Sequence, residues 1–380
     1  MLSQNKRGFT LVELIVVMAI FMVIIMITAA AFKTIVDNSS QQTKSIETQI
    51  EGIVGLEVLR ADLQQIGFGL PWTFSHTLAY EEAVQTNYST TTAADPLLND
   101  KPDKAPRAIL SEVTTFNGGS MCLVVKSTLT AANDTSKKWT TVSYDKDSEK
   151  HVRQWGAADR DFDSAERVIV VKNSLMTTPP TRQLMSTSST VFSATFGTYS
   201  TVGLVNPHQN GDTFEVYGVS PSTPLRMPFN RADYYVKRPT ANMPTNCAGN
   251  TGILYKSIIS HSDGKPATVM PLLDCVADMQ VVYGLDTSGD GPVNSHEPIP
   301  FPTADFVRNQ VREIRVYILA QEGKKDLSYR YPSESIRVGE VINGISRGRE
   351  FNLLTLIGSD YKYYRWKVYT IVVRPKNLIQ

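Results

Sequence analysis

The chain has 380 residues, with 38 Lys and Arg against 37 Asp and Glu, for a formal net charge of +1. That balance excludes a strongly basic nucleic-acid binder as the first reading, and 42% hydrophobic with 20% charged residues excludes a disordered chain. The length predicts two or three domains' worth of chain, or one domain with large insertions, and three cysteines leave room for one bridge but not for a disulfide-built scaffold.

The apolar residues are concentrated at the front. Leu14 to Phe32 carries no charge, and Thr28 is its only clearly polar residue. As a helix these 19 residues would rise about 28 Å, close to the hydrocarbon thickness of a bilayer. Lys6 and Arg7 in front favour a cytoplasmic N-terminus, with the rest of the chain on the far side of the membrane. Three readings share this pattern: a secretory signal peptide cleaved near Ala29-Ala30-Ala31, a plain signal anchor, and a leader cut in front of the apolar segment. Glu13 separates them. A lone carboxylate at the edge of a membrane helix costs free energy and needs a partner, which makes it a functional candidate.

The run Lys6-Arg7-Gly8-Phe9-Thr10-Leu11-Val12-Glu13 resembles the processing signal of type IV pilins and type II secretion pseudopilins. The resemblance implies that a prepilin peptidase cuts after Gly8 and methylates the new N-terminal Phe9. It also implies that Glu13 neutralises the terminal amine of an adjacent subunit as the filament grows. Cleavage removes Lys6 and Arg7, leaving 372 residues and a net side-chain charge of −1.

Beyond the leader (1–8) and the transmembrane or filament-core helix (9–32), an amphipathic helix is expected over 33–67. Ile46, Ile50, Ile53, Leu56, Leu59, Leu63 and Ile66 recur every three or four residues and draw one stripe. Asp37-Asn38-Ser39-Ser40 is expected to weaken the helix between its halves, and Gly67-Phe68-Gly69-Leu70-Pro71 to end it. Residues 85–107 read as a long loop. Eight short runs rich in Val, Ile and Tyr then read as strands: Met121–Lys126, Arg167–Lys172, Phe214–Val219, Asp233–Lys237, Gly252–Ile259, Val276–Leu285, Val311–Gln321 and Tyr364–Arg374. The stretch 173–201 reads as loop or weak edge strands. The expected fold class is α+β: a long N-terminal helix packed on a mostly antiparallel β-rich head over 68–380, with a Pro-rich seam near 220–245.

The helix end Gly55-Leu-Glu-Val-Leu-Arg60-Ala-Asp62 and the tail Tyr363 to Leu378 are similar to PilW-type minor pilins, as is the stretch around 275–297. Pro375 departs from that pattern and should end the terminal strand. The resemblance implies a minor pilin that primes pilus assembly and sits at or near the tip. Its partners would be the prepilin peptidase, other minor pilins, the major pilin and a tip adhesin. It would lie in the bacterial inner membrane with a periplasmic head before joining the extracellular pilus. J-type pseudopilins at a pseudopilus tip are the related alternative.

Four sets of residues were weighed for chemistry. Asp286, Ser288, Asp290, Pro292 (through its carbonyl), Asn294 and Glu297 match a 12-residue calcium loop, with Gly291 at the sharp turn; a Gly/Asp turn between strands is the competing reading. Among Cys122, Cys247 and Cys275, a Cys247–Cys275 bridge is favoured from three possible pairings. Cys247 lies in a turn-rich loop, Cys275 begins a strand that the chain can return beside, and Cys122 sits in an apolar strand as a buried thiol. Gly344-Ile345-Ser346-Arg347-Gly348 matches G-x-S-x-G without a strong strand before it and reads as a turn, so no enzyme is expected. The last 40 residues carry seven basic side chains against Glu350 and Asp360, with Tyr361, Tyr363, Tyr364 and Trp366 interleaved. Such a face suits DNA in a DNA-uptake pilin, but more often is the solvated side of a strand, so nucleic acid is not the expected partner.

Overall fold

The computed structural model describes residues 10–88, 96–100, 104–131, 133–174, 181–298 and 303–378. Helix α1 runs without a break from Leu11 to Gln64, so the expected weakening at Asp37–Ser40 does not interrupt it. Gly67 and Gly69 then take positive φ (80° and 71°), a conformation that L side chains resist, and turn the chain away. The amide of Gly67 donates to the Lys126 carbonyl at 3.2 Å.

Two sheets build the head. The larger has eight strands in the order Arg365–Val373, Val311–Glu322, Pro266–Leu285, Gly252–Ile259, Asn230–Lys237, Met121–Ser127 and Ile109–Val113, with Ser295–Glu297 added beside Pro266–Leu285. All its pairings are antiparallel. The second has seven strands and is centred on Arg167–Ser174, Thr213–Ser220 and Trp139–Tyr144. A hairpin, Ser335–Ile342 with Ile345–Asn352, forms its own two-stranded sheet and packs on the larger one through Val338 and Phe351. The predicted strand Gly252–Ile259 is found with those bounds, and the other seven predicted strands overlap observed ones. Strand Pro266–Leu285 begins ten residues before its predicted start, because Pro266 and Pro271 interrupt the strand pattern of its first half, where Val269 and Met270 stay partly exposed. The terminal strand stops at Val373, two residues short of Pro375.

Apart from its edge strand Thr73–Phe74, the second sheet is inserted into the first. The chain leaves the larger sheet after Ser127 and returns at Asn230, and these two residues are register partners. One apolar core joins α1 to both sheets: Leu59, Leu63, Ile169, Tyr217, Tyr234 and Val316 belong to the same buried cluster. Asn230 fastens the junction. Its side-chain amide donates to the Thr128 carbonyl at 2.7 Å and to the Val219 carbonyl at 3.0 Å, and its oxygen meets His261 Nε2 at 3.0 Å. His261 Nδ1 accepts from the Arg226 amide at 3.3 Å, so both ring nitrogens are engaged by the neutral tautomer.

Buried charge supports the same region. Lys126 and Arg231 are fully buried on strands Met121–Ser127 and Asn230–Lys237. Lys126 lies 2.8 Å from Glu82 and 2.5 Å from Asp100, while Arg231 lies 3.1 Å from Glu82 and 2.7 Å from Asp233. Glu82 and Asp100 thereby bind the long irregular segment to the larger sheet. Such pairs add little net stability over apolar residues, but losing one partner leaves a buried charge that costs several kcal/mol, about 3–5.

The face that α1 turns to the sheet is set by glycines. Leu56, Leu59, Leu63 and Ile66 are buried as the stripe predicts, but Ile53 is 62% exposed; the side chains of Ile46 and Ile50 lie outside those described. Gly52 and Gly55 occupy the contact instead. A Cβ on Gly55 would sit 1.8 Å from the Leu272 carbonyl oxygen, and one on Gly52 would sit 3.0 Å from the Leu273 side chain. Two turns further, the Asp62 carboxylate takes the Lys256 ammonium at 2.5 Å and the Tyr234 hydroxyl. Burial raises the Asp62 pKa, and the Lys256 charge opposes that rise.

Two predictions follow from these contacts. Ala is the better helix former by about 1 kcal/mol, so an unpacked Gly55 would be stabilised by Gly55→Ala. Here the clash with strand backbone should dominate and cost on the order of 1–3 kcal/mol, read as a lower denaturation midpoint. Burial pushes the His261 pKa down from 6.5 to about 4. Between those values the unfolded chain takes a proton that the folded chain refuses, so stability should fall as pH drops from 6.5 towards 4 and be fully present above 6.5. His261→Gln should flatten that part of the melting-temperature profile relative to the parent protein.

Candidate processing and assembly site

The apolar segment predicted from Leu14 to Phe32 lies within a longer span, Leu11–Val36, of 26 residues with a mean hydropathy of 3.0. At about 1.5 Å per residue it is about 39 Å long, more than the roughly 30 Å of a bilayer core. No part of the head covers it; Leu11, Ile15, Phe21, Met26 and Phe32 are all more than half exposed. An apolar surface of this size needs lipid or neighbouring helices. The hydroxyls inside it are already satisfied within the helix: Thr28 donates to the Ile24 carbonyl at 2.8 Å and Thr34 to the Ala30 carbonyl at 3.1 Å. That removes the cost of carrying them into lipid.

Gly8 and Phe9 lie outside the described residues. Thr10 and Glu13 lie just inside them and form a reciprocal cap at the start of α1. The Thr10 hydroxyl accepts from the Glu13 amide at 3.3 Å, and the Glu13 carboxylate accepts from the Thr10 amide at 2.9 Å and the Thr10 hydroxyl at 3.0 Å. Besides the charge of Glu13, the Thr-x-x-Glu spacing is a sequence signal for this cap. The cap orders the carboxylate at the first turn of an exposed apolar helix, one residue from the expected N-terminus of the processed chain.

The 286–297 loop is held by its own donors. Asp286 accepts from the Gly289 amide at 2.6 Å and the Gly291 amide at 2.9 Å, and pairs with Arg312 at 3.2 Å. Ser288 donates to Asp290 at 2.6 Å and accepts from Asn294 at 2.6 Å. Pro292 is exposed within the loop. Glu297 lies on strand Ser295–Glu297, where Ser295 donates to it at 3.2 Å and Arg347 pairs with it at 3.2 Å. A calcium ion would have to compete with two arginines and with the loop's internal bonds. This arrangement favours the turn reading over the metal reading. Another acidic group, Asp145, Glu149 and His151, brings its ligand atoms within 4.8 Å of one another on an exposed turn. There Asp145 already accepts from the Asp147 and Glu149 amides and from His151 at 3.1 Å.

A disulfide joins Cys247 to Cys275 across 28 residues, and Cys122 is a buried free thiol whose pKa burial raises strongly. Gly344 lies in the hairpin turn at φ 79°, while Ser346 faces Val341 across the strands, so the expected turn reading holds for Gly344 and not for Ser346 or Gly348. The basic tail is largely structural. Arg349 makes a two-pronged pair with buried Asp278, both contacts at 2.8 Å, and Trp366, Tyr361 and Tyr364 are buried under the hairpin.

With its loop already satisfied, the protein should show no calcium-dependent rise in melting temperature at millimolar calcium. A site with a dissociation constant of about 0.1 mM would add about 1.4 kcal/mol at ~1 mM calcium, a readily measured shift.

Comparison with known families adds two matches. Residues 3–29 match the prokaryotic N-terminal methylation motif, and residues 233–377 match the type IV pilus-assembly protein W family. No curated protein and no solved structure matches the chain. The first match covers the leader and most of the exposed span; the second covers most of the larger sheet and the hairpin, onto which α1 packs. Over these two segments the chain is similar to type IV pilin-like proteins of the PilW type.

Proposed function

We propose that this protein is a minor pilin, cut after Gly8, N-methylated on Phe9, and acting early in type IV pilus assembly at or near the tip. The observation that carries the reading is the wholly uncovered Leu11–Val36 helix behind a methylation motif, joined to a head of more than 300 residues. Such a helix is stable in lipid before assembly and among other subunit helices afterwards. A head of this bulk is hard to repeat along a thin fibre, which favours a terminal position. The mechanism is assembly by burial of apolar surface, with the Glu13 carboxylate meeting the methylated amine of a neighbouring subunit. To do so Glu13 exchanges its bonds to Thr10 for an ion pair in a low-dielectric setting, where an unpartnered charge is costly. The enzymatic step would belong to the peptidase partner, and this chain supplies the substrate sequence. The DNA-uptake alternative loses support because Arg347 and Arg349 are paired and three of the tail aromatics are buried.

Glu13→Val is expected to leave cleavage after Gly8 largely intact but sharply reduce piliation. Mass spectrometry of the N-terminus and counting of surface pili measure the two effects separately. Normal piliation in that variant would overturn the role given to Glu13.

A further inference from the structure

The end of the head nearest the apolar helix carries a basic and aromatic cluster that the assembly reading does not use. Its placement comes from the helix contacts. Gly52 lies beside Leu273 and the Tyr369 hydroxyl, whereas the Gln64 carbonyl accepts from the Lys376 amide at 3.3 Å. Along the terminal strand, numbers below 369 therefore lead back towards the start of α1. That direction leads past the paired residues Glu322 and Arg365 to residues 323–334 and 359–365.

Three cations converge there on one ring. Arg330 lies 4.3 Å, Lys325 5.3 Å and Lys362 5.4 Å from the centre of Tyr363, and Arg365 lies 4.5 Å from Tyr329. The segment is held in shape by backbone bonds, from the Asp326 amide to the Tyr363 carbonyl and from the Tyr331 amide to the Lys362 carbonyl, both at 2.8 Å. Over residues 322–331 and 359–367 six basic residues face three acidic ones, a net of +3. Among them Leu327 stands 69% exposed. Exposed Leu, tyrosines and clustered Lys and Arg next to a membrane helix are the composition that suits a lipid interface.

The distances fit. From Gly52 back to Val36 the helix covers about 24 Å, and from Tyr369 back to Arg365 the strand covers about 13 Å. The remaining ~11 Å is less than a headgroup layer of about 5–8 Å plus a Debye length of about 8 Å, which keeps this end of the head within electrostatic reach of the phosphates.

We propose that before assembly this end of the head rests on anionic lipid headgroups of the leaflet it faces, with Arg330 and Lys362 on the phosphates, Lys325 turning to them from its pair with Asp360, and Leu327 at the interface. This rests on the reading of Leu11–Val36 as a membrane span. Because the cations cover the Tyr363 ring, base stacking is disfavoured there, and phosphate-bearing lipid is preferred to single-stranded nucleic acid.

The test uses the full chain in vesicles of phosphatidylcholine with or without phosphatidylglycerol. Leu327→Cys carries an environment-sensitive fluorophore; Cys122 is buried and the other two cysteines are bridged. The expected result is quenching of the label by lipid-borne quencher in phosphatidylglycerol vesicles, reversed by roughly 0.5 M salt. Each basic residue removed should weaken the response about fivefold, since each contributes about 1 kcal/mol near an anionic surface. Lys325→Glu with Lys362→Glu tests this strongly, and Arg330→Gln tests it mildly should the first variant melt early. Equal exposure of the label in both lipids, or protection only by added single-stranded DNA, would overturn the proposal. Vesicle flotation separates the two readings: a chain that floats with an unquenched label refutes the headgroup contact alone, and one that fails to float refutes the span.

Discussion

The structure depends on how closely α1 can approach the larger sheet. A helix usually packs about 10 Å from a sheet with side chains between them, but at Gly55 nothing stands between the helix and the Leu272 carbonyl. This contact fixes the face of the helix, and with it the exposure of Ile53 and the burial of Leu56, Leu59 and Leu63. It also fixes how the membrane segment leaves the head, because the helix is continuous from Leu11 to Gln64. The Asp62–Lys256 pair adds a polar lock further along, where misplacement would strand two buried groups.

Much of this fold was legible in the sequence. Strands with continuous apolar runs, such as Gly252–Ile259 and Val311–Glu322, are central strands buried on both faces, so their composition identifies them directly. The hairpin Ser335–Ile342 and Ile345–Asn352 was missed because its residues are largely polar and half-exposed, and its stability comes from the Arg349–Asp278 pair and from Val338 and Phe351 beneath it. The buried Lys126 and Arg231 were equally hidden, since their partners Glu82 and Asp100 lie in a segment with no periodic pattern.

The candidate site divides along the same line. Gly8, Phe9 and Glu13 form a short contiguous signal, and contiguous signals survive without a structure. The Thr10–Glu13 cap was equally local and was overlooked because charge overshadowed spacing. The calcium loop shows the opposite failure. Its spacing was right, but ligand geometry depends on distant residues, and Arg312 and Arg347 come from strands that no local pattern links to it.

The register pairing of Ser127 with Asn230 has a wider consequence. To the larger sheet, residues 128–229 are simply a very long hairpin loop whose two ends already meet. Closing a loop costs only slightly more as it lengthens, so the frame that carries the filament helix tolerates large changes in what is hung between those strands. An architecture of this kind lets the inserted strands diverge freely while α1 and the sheet it packs on stay the same. It also explains how the chain reaches 380 residues without altering the plan of its helix and sheet.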